Sequence, residues 1–184
     1  ILGIAAVVMT ARIVRRLTRS DALGTIAGLL LALDGIHIVL SRTALLDLVL
    51  GFWVLAGFGL LLVDRDRTRQ RLADDVRRHG ADRVAAGLGP FLGWRPWRIA
   101  AIVTFGLACG TKWSGIWFLA AFMAMSLVWD ALSRRAIGVD HPWSAAFARD
   151  LPLAAASTLV IGLGVYLLTW TGWFATGTGW SRTW

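Results

Sequence analysis

The 184-residue chain contains no glutamate, a single cysteine and few charged residues. Cys109 lies in an apolar run, which argues against a disulfide or a thiolate metal site within this chain. No group of histidine, cysteine and acidic residues has metal-ligand spacing, so we expect no metal site and no cofactor. Charged residues make up 16% of the sequence. Soluble domains contain about 25%, so an ordinary soluble domain is excluded.

Hydrophobic residues make up 57% of the sequence and occur in long blocks. Blocks of this kind are typical of membrane-spanning helices. The sequence therefore predicts an all-α, polytopic membrane helix bundle. The formal net charge is +8, which in a soluble protein would indicate nucleic acid as a partner. Here the arginines flank apolar runs, so membrane topology and anionic lipids explain them better, and we expect no nucleic-acid partner.

Six apolar segments are predicted to enter the membrane, at about residues 1–14, 21–40, 43–63, 98–109, 116–129 and 151–170. Residues 64–97 form a polar cytoplasmic connection, for which we prefer a solvated loop to a surface helix. Residues 171–184 form an extracytoplasmic exit. The first segment is shorter than the roughly 20 residues of a full span, and we interpret the sequence as an internal fragment of a larger protein.

Residues 97–130 are too long for one straight span. At 1.5 Å per residue they would extend about 50 Å, whereas the hydrocarbon core is roughly 30 Å thick. We therefore place a turn at residues 110–115, which gives either two short spans or one bent span. Glycine pairs spaced for close helix packing occur at Gly24 and Gly28 and at Gly106 and Gly110.

The distribution of basic residues predicts the orientation of the chain. With the turn at 110–115, residues 12–19, 64–98 and 131–149 lie on one side and hold four, nine and three of the 19 basic residues. The positive-inside rule places this side in the cytoplasm. The three exceptions, Arg42, Lys112 and Arg182, all fall on the extracytoplasmic side.

Residues 34–47 carry two acids and an arginine between two apolar runs. A charge at membrane depth costs about 2.5–3.5 kcal/mol on insertion scales, so such charges favour a functional site. The alternative is that Arg42 and Asp47 pair at the membrane surface and cap two helices. Asp34 and Ser41 are seven residues apart and are predicted to share a helix face. Arg42 and Lys112 could bind the phosphate of a lipid-linked substrate, although Lys112 could equally extend to nearby headgroups.

Two stretches carry a resemblance to a known family. Residues 29–53 read LLLALDGIHIVLSRTALLDLVLGFW, and residues 106–122 read GLACGTKWSGIWFLAAF. Together with GWRPWR at residues 93–98, they closely resemble the protein O-mannosyltransferases, particularly the actinobacterial branch. The resemblance covers nearly the whole chain.

This resemblance implies a metal-independent, inverting glycosyltransferase of the GT-C type in the plasma membrane, with its active face extracytoplasmic. Such enzymes transfer mannose from polyprenyl-phosphate-mannose to serine or threonine of exported proteins. The implied partners are that donor, the acceptor proteins, membrane lipids and the secretion machinery. The catalytic base is expected in an acidic loop that precedes Ile1, which agrees with the lack of glutamate, so the fragment alone should be inactive.

The resemblance also implies roles for individual residues. Arg42 and Asp47 are assigned to the catalytic site as positioning residues, with Asp47 holding Arg42. The side chains assigned to substrate binding are Lys112, Trp113, Asp34 and Ser41. Two other functions stay open: a GT-C enzyme that uses another lipid-linked sugar, and a transporter or structural membrane subunit. A transporter would more often show internal repeats and charges at the bilayer midplane, and the sequence shows neither.

Overall fold

A computed structural model describes residues 1–43 and 45–176, and this part of the chain contains helices and no strand. The helices are α1 (Leu2–Thr18), α2 (Asp21–Leu33), α3 (Gly35–Thr43), α4 (Leu46–His79), α5 (Ala81–Ala85), α6 (Pro96–Thr111), α7 (Gly115–Ala136), α8 (Pro142–Thr169) and α9 (Thr171–Ala175). Helix α8 includes π-helical turns at Ala146–Asp150 and Thr158–Gly162. The expected all-α class is confirmed.

Three helices in the described residues, α4, α7 and α8, are long and apolar enough to cross a membrane. Helices α2 and α3 together could form a fourth span, bent by 60°. Large apolar side chains cover the outside of the bundle; Leu30, Val160 and Leu168 are each about two-thirds exposed or more. Contiguous apolar surface of this kind is rare on soluble monomers, and the chain is a membrane protein.

Helix α4 continues well beyond the apolar segment predicted to end at residue 63. It is a single helix through His79, so much of the polar stretch expected to be a loop is helical. One face of the extension is buried, at Asp64, Thr68 and Leu72, and Arg77 pairs with Asp74 one turn away. Tertiary contacts on this face stabilise the helical extension, whereas the high density of charged residues in the sequence favoured a loop.

The segment predicted to run as one helix over residues 21–40 is broken at Asp34. The Asp34 backbone is extended, and its carboxylate accepts a hydrogen bond from the His37 backbone N–H at 2.7 Å. Asp34 thereby ends α2 and caps the start of α3. Gly35, a poor helix former, follows the break, which is the physical reason that the helix bends here.

Glycines set the closest helix contacts, as their spacing predicted. A Cβ at Gly24 would lie 2.7 Å from Arg15 Cβ, and one at Gly28 would lie 3.0 Å from Ala11 Cβ, so both face α1. A Cβ at Gly106 would lie 2.9 Å from Val165 Cβ on α8. Helix α4 lies between the α1–α2 pair and the α6–α7–α8 group, and it packs most extensively on α6.

Helices α6 and α7 meet at a tight turn, Lys112–Ser114, inside the region where the sequence predicted a break. A Cβ at Gly115 would lie 2.7 Å from the Cys109 backbone nitrogen, so the start of α7 packs directly on the α6 backbone. Helix α7 extends to Ala136, seven residues beyond the predicted span. Of the predicted exit segment, residues 177–184, which include Arg182, lie outside the described residues.

Candidate functional site

The first turn of α4 meets the end of α6 through an ion pair. Lys112 Nζ lies 2.7 Å from Asp47 Oδ1, and their side chains are 44% and 52% exposed. Helices α4 and α6 run antiparallel, which brings residues 65 positions apart in sequence to the same end of the bundle. The structure thus unites two of the predicted site residues, and it leaves the ammonium group open to a ligand.

The structure does not contain the suggested pair of Arg42 and Asp47 among the residues it describes. Arg42 is exposed in the last turn of α3, and within residues 1–43 and 45–176 its side chain forms no hydrogen bond or ion pair. Asp47 binds Lys112 instead, because α4 packs against α6 and its first turn meets the turn after α6. Among the residues that the structure describes, Arg42 therefore has no acidic partner.

Asp34 and Asp47 share a cavity of about 420 Å³, whose wall also includes His37 and Phe118. Ser41 is not among the residues that line this cavity. Its Oγ lies where a side chain on Gly3 would stand, and His37 Nε2 lies 3.2 Å from the Gly3 carbonyl oxygen. Ser41 and His37 therefore contact α1, and Asp34 serves first as a helix cap.

Trp113 lies on the other side of the same turn and is 72% exposed. It lines an apolar groove of about 850 Å³ between α7 and α8, which also contacts Ile116, Leu159 and Tyr166. Lys112 stands next to Trp113 in the chain. The ion-paired Lys112 is thus adjacent in the chain to a residue that lines an apolar groove.

Asp47 and Asp64 bound the apolar part of α4 and lie about 26 Å apart at 1.5 Å per residue. Residues 48–63 between them carry no charge. This distance approximates the hydrocarbon thickness of a bilayer. The charges of residues 34–47 and 112 therefore lie at one membrane boundary, and the arginine-rich segments lie at the other.

The second boundary contains a buried charge network of Asp64, Arg95, Arg98 and Asp130, which was not among the predicted site residues. Arg95 Nη1 donates to Asp130 Oδ2 at 2.7 Å, and Arg95 Nε donates to Asp64 Oδ1 at 3.2 Å. Arg98 also donates to Asp130, and all four side chains are buried. Burial lowers the pKa of Arg95, but the charges of Asp130 and Asp64 outweigh burial and raise it. The sequence contained a signal for this network. Asp64 and Asp130 each follow the end of an apolar run, and both run ends are predicted to lie at the same membrane boundary.

Arg134 forms a second buried clamp at this end. Its guanidinium binds the Asp150 carboxylate through two bonds of 3.0 and 2.8 Å. Its Nη1 also donates to the carbonyl oxygens of Leu88 and Pro90, at 3.0 and 2.8 Å. Arg134 thus fixes the segment before α6 against α7 and α8. These contacts are structural and lie far from Lys112.

In the part of the chain that the structure describes, no group of three or more histidine, cysteine or acidic side chains could hold a metal ion. Among the described residues, the charged groups at the Lys112 end include the Lys112–Asp47 ion pair, the unpaired Arg42 and the helix-capping Asp34. Such groups can bind an anion and position it.

Comparisons with known proteins agree with the resemblance. Residues 1–73 match the family described as dolichyl-phosphate-mannose-protein mannosyltransferase. Over 99% of its length the chain is 45% identical to a polyprenol-phosphate-mannose–protein mannosyltransferase of Mycobacterium tuberculosis H37Rv, covering 34% of that protein. Over 98% of its length the chain is 44% identical to the protein of the same name from Mycolicibacterium smegmatis, covering 34% of it. Over 90% of its length it is 34% identical to the one from Corynebacterium glutamicum, covering 32% of it. No solved structure matches the chain.

The fold defines an α-helical polytopic membrane protein. The chain is, moreover, similar to the protein mannosyltransferases, and the resemblance predicted from its sequence is confirmed. It spans about a third of the length of the curated relatives it matches.

Proposed function

We propose that the protein carrying this chain is a membrane glycosyltransferase. It transfers mannose from polyprenyl-phosphate-mannose to serine or threonine of exported proteins, with inversion at the anomeric carbon. The observation that carries the proposal is the ion pair of Lys112 with Asp47 at 2.7 Å, next in the chain to Trp113, which lines the apolar groove. The names of the relatives, which are polyprenol-phosphate-mannose–protein mannosyltransferases, support the choice of donor.

The chemistry assigns distinct tasks to these groups. A carboxylate outside this chain deprotonates the acceptor hydroxyl, whose oxygen attacks the anomeric carbon from the face opposite the phosphate. The bond between that carbon and the phosphate oxygen breaks, and the polyprenyl phosphate leaves with additional negative charge. Lys112 and Arg42 stabilise this charge, and the groove holds the isoprenoid chain. Asp47 is a positioning residue that orients Lys112.

The proposal includes the orientation of the protein. The positive-inside rule puts the arginine-rich boundary in the cytoplasm, and so Lys112 faces the extracytoplasmic side of the plasma membrane. Acceptor proteins reach that side after export, so association with the secretion machinery fits this orientation.

A transfer assay tests the proposal in membranes that contain the intact protein. Labelled polyprenyl-phosphate-mannose and a serine/threonine-rich peptide are supplied, and label on the peptide is counted. We expect transfer by the natural protein and its loss in Arg42→Ala, with both proteins expressed equally. Transfer from a different lipid-linked sugar would overturn the choice of mannose. Transfer at the natural rate by Arg42→Ala would overturn the role of Arg42.

A further inference from the structure

A polar pocket of about 440 Å³ lies at the boundary opposite Lys112, between the end of α1 and the charged half of α4. Four arginines line it, Arg16, Arg19, Arg65 and Arg69, together with one acid, Asp66. These five side chains carry a formal charge of +3. A concave site with this excess of arginine is suited to an anion, since the planar guanidinium group matches the geometry of phosphate oxygens.

Two of these arginines are held in place by Asp66. Its Oδ2 accepts a bond from Arg16 Nε at 2.7 Å, and its Oδ1 accepts bonds from Arg65 Nε and Nη2 at 3.1 and 3.0 Å. The Arg65 guanidinium also stacks on the Trp129 ring, 5.0 Å from its centroid. Asp66 therefore holds the Arg16 and Arg65 side chains in place, and this part of the pocket lining is pre-organised before any ligand binds.

Arg19 and Arg69 supply the charge that is not compensated. Both side chains are exposed, and neither has an acidic partner in the described residues. Arg19 lies in the left-handed conformation, with φ of 56°, at the connection between α1 and α2. The pocket therefore combines two fixed cations with two free ones.

The depth of the pocket identifies the class of ligand. Arg65 follows Asp64, the first charged residue after the apolar part of α4, so the pocket lies at the edge of the hydrocarbon layer. Lipid phosphates occupy this level, and basic pockets between membrane helices bind anionic headgroups. We propose that this pocket binds a phosphate group, carried by the headgroup of an anionic phospholipid. This site lies at the opposite boundary from the proposed donor site and does not depend on it.

Competition binding tests the proposal with the intact protein in a neutral detergent. A fluorescent dioctanoyl phosphatidylglycerol is titrated, and fluorescence polarisation gives its dissociation constant. Arg19→Gln/Arg69→Gln should weaken binding about 25-fold, as the product of about fivefold for each cation near an anionic surface. The matched control is Arg78→Gln/Arg83→Gln, which removes two exposed arginines outside the pocket and should leave binding within twofold.

A charge-preserving variant and competition with unlabelled ligands complete the test. Arg19→Lys/Arg69→Lys keeps the charge and should retain most of the binding, which separates loss of the ligand from loss of the fold. Unlabelled phosphatidylcholine should compete poorly. Displacement of the lipid by inorganic phosphate at equal concentration would show that free phosphate, not a headgroup, is the ligand. Equal weakening by the Arg19/Arg69 and Arg78/Arg83 glutamine variants would overturn the site.

Discussion

Removal of the Asp130 carboxylate is expected to destabilise the protein severely. Asp130 is 2% exposed and accepts hydrogen bonds from Arg95 and Arg98, which are also buried. Asp130→Ala leaves Asp64 as the acid that faces the two buried guanidinium groups of Arg95 and Arg98. Breaking a buried ion pair by removing one partner costs about 3–5 kcal/mol. A typical free energy of unfolding is about 5–15 kcal/mol, so this loss is a large fraction of it.

Asp74→Ala provides the matched control. Asp74 pairs with Arg77 on the exposed side of α4, at 3.1 Å, and the two side chains are 53% and 78% exposed. Exposed pairs contribute about 0–1 kcal/mol, and both variants place alanine in a helix. The assay is thermal unfolding of the intact protein in detergent, followed by tryptophan fluorescence; the chain supplies eleven tryptophans. Equal melting temperatures for the two variants would refute the structural role of the network.

Two further predictions concern the turn that carries Lys112. Gly115→Ala should lower the melting temperature, because the new Cβ would lie 2.7 Å from the Cys109 backbone nitrogen and overpacking costs about 1–3 kcal/mol. Gly164→Ala, where no atom lies within 4 Å, should not lower it, and equal losses would contradict the close packing. Asp47→Asn should reduce the free energy of unfolding by no more than about 1 kcal/mol, since its pair with Lys112 is half exposed. A much larger loss of the free energy of unfolding, measured by denaturant titration, would show that the pair has a structural role.

The sequence predicted well those features that depend on local pattern. Long apolar runs indicated membrane helices, and the small residues at Gly24, Gly28 and Gly106 indicated close packing that the structure contains. The break between α6 and α7 followed from length alone, because a straight helix would exceed the bilayer. These inferences needed no knowledge of which helices are neighbours.

Features that depend on tertiary partners were predicted poorly. The resemblance implied that Asp47 holds Arg42, whereas the packing of α4 on α6 pairs Asp47 with Lys112. The extension of α4 to His79 depends on contacts that bury Asp64 and Leu72. Charge density alone favoured a loop there. Sequence spacing does not reveal contacts between helices that lie far apart in the chain.

The central claim is that Lys112 stabilises charge on the phosphate of the lipid-linked donor. The transfer assay described above tests it most directly when Lys112→Gln is compared with Arg83→Gln, which removes an exposed charge at the opposite boundary. We expect a kcat about 100-fold lower for Lys112→Gln, by analogy with the loss of one donor that stabilises transition-state charge, and an unchanged kcat for Arg83→Gln. Transfer by Lys112→Gln at the natural rate, with equal expression, would contradict this role of Lys112.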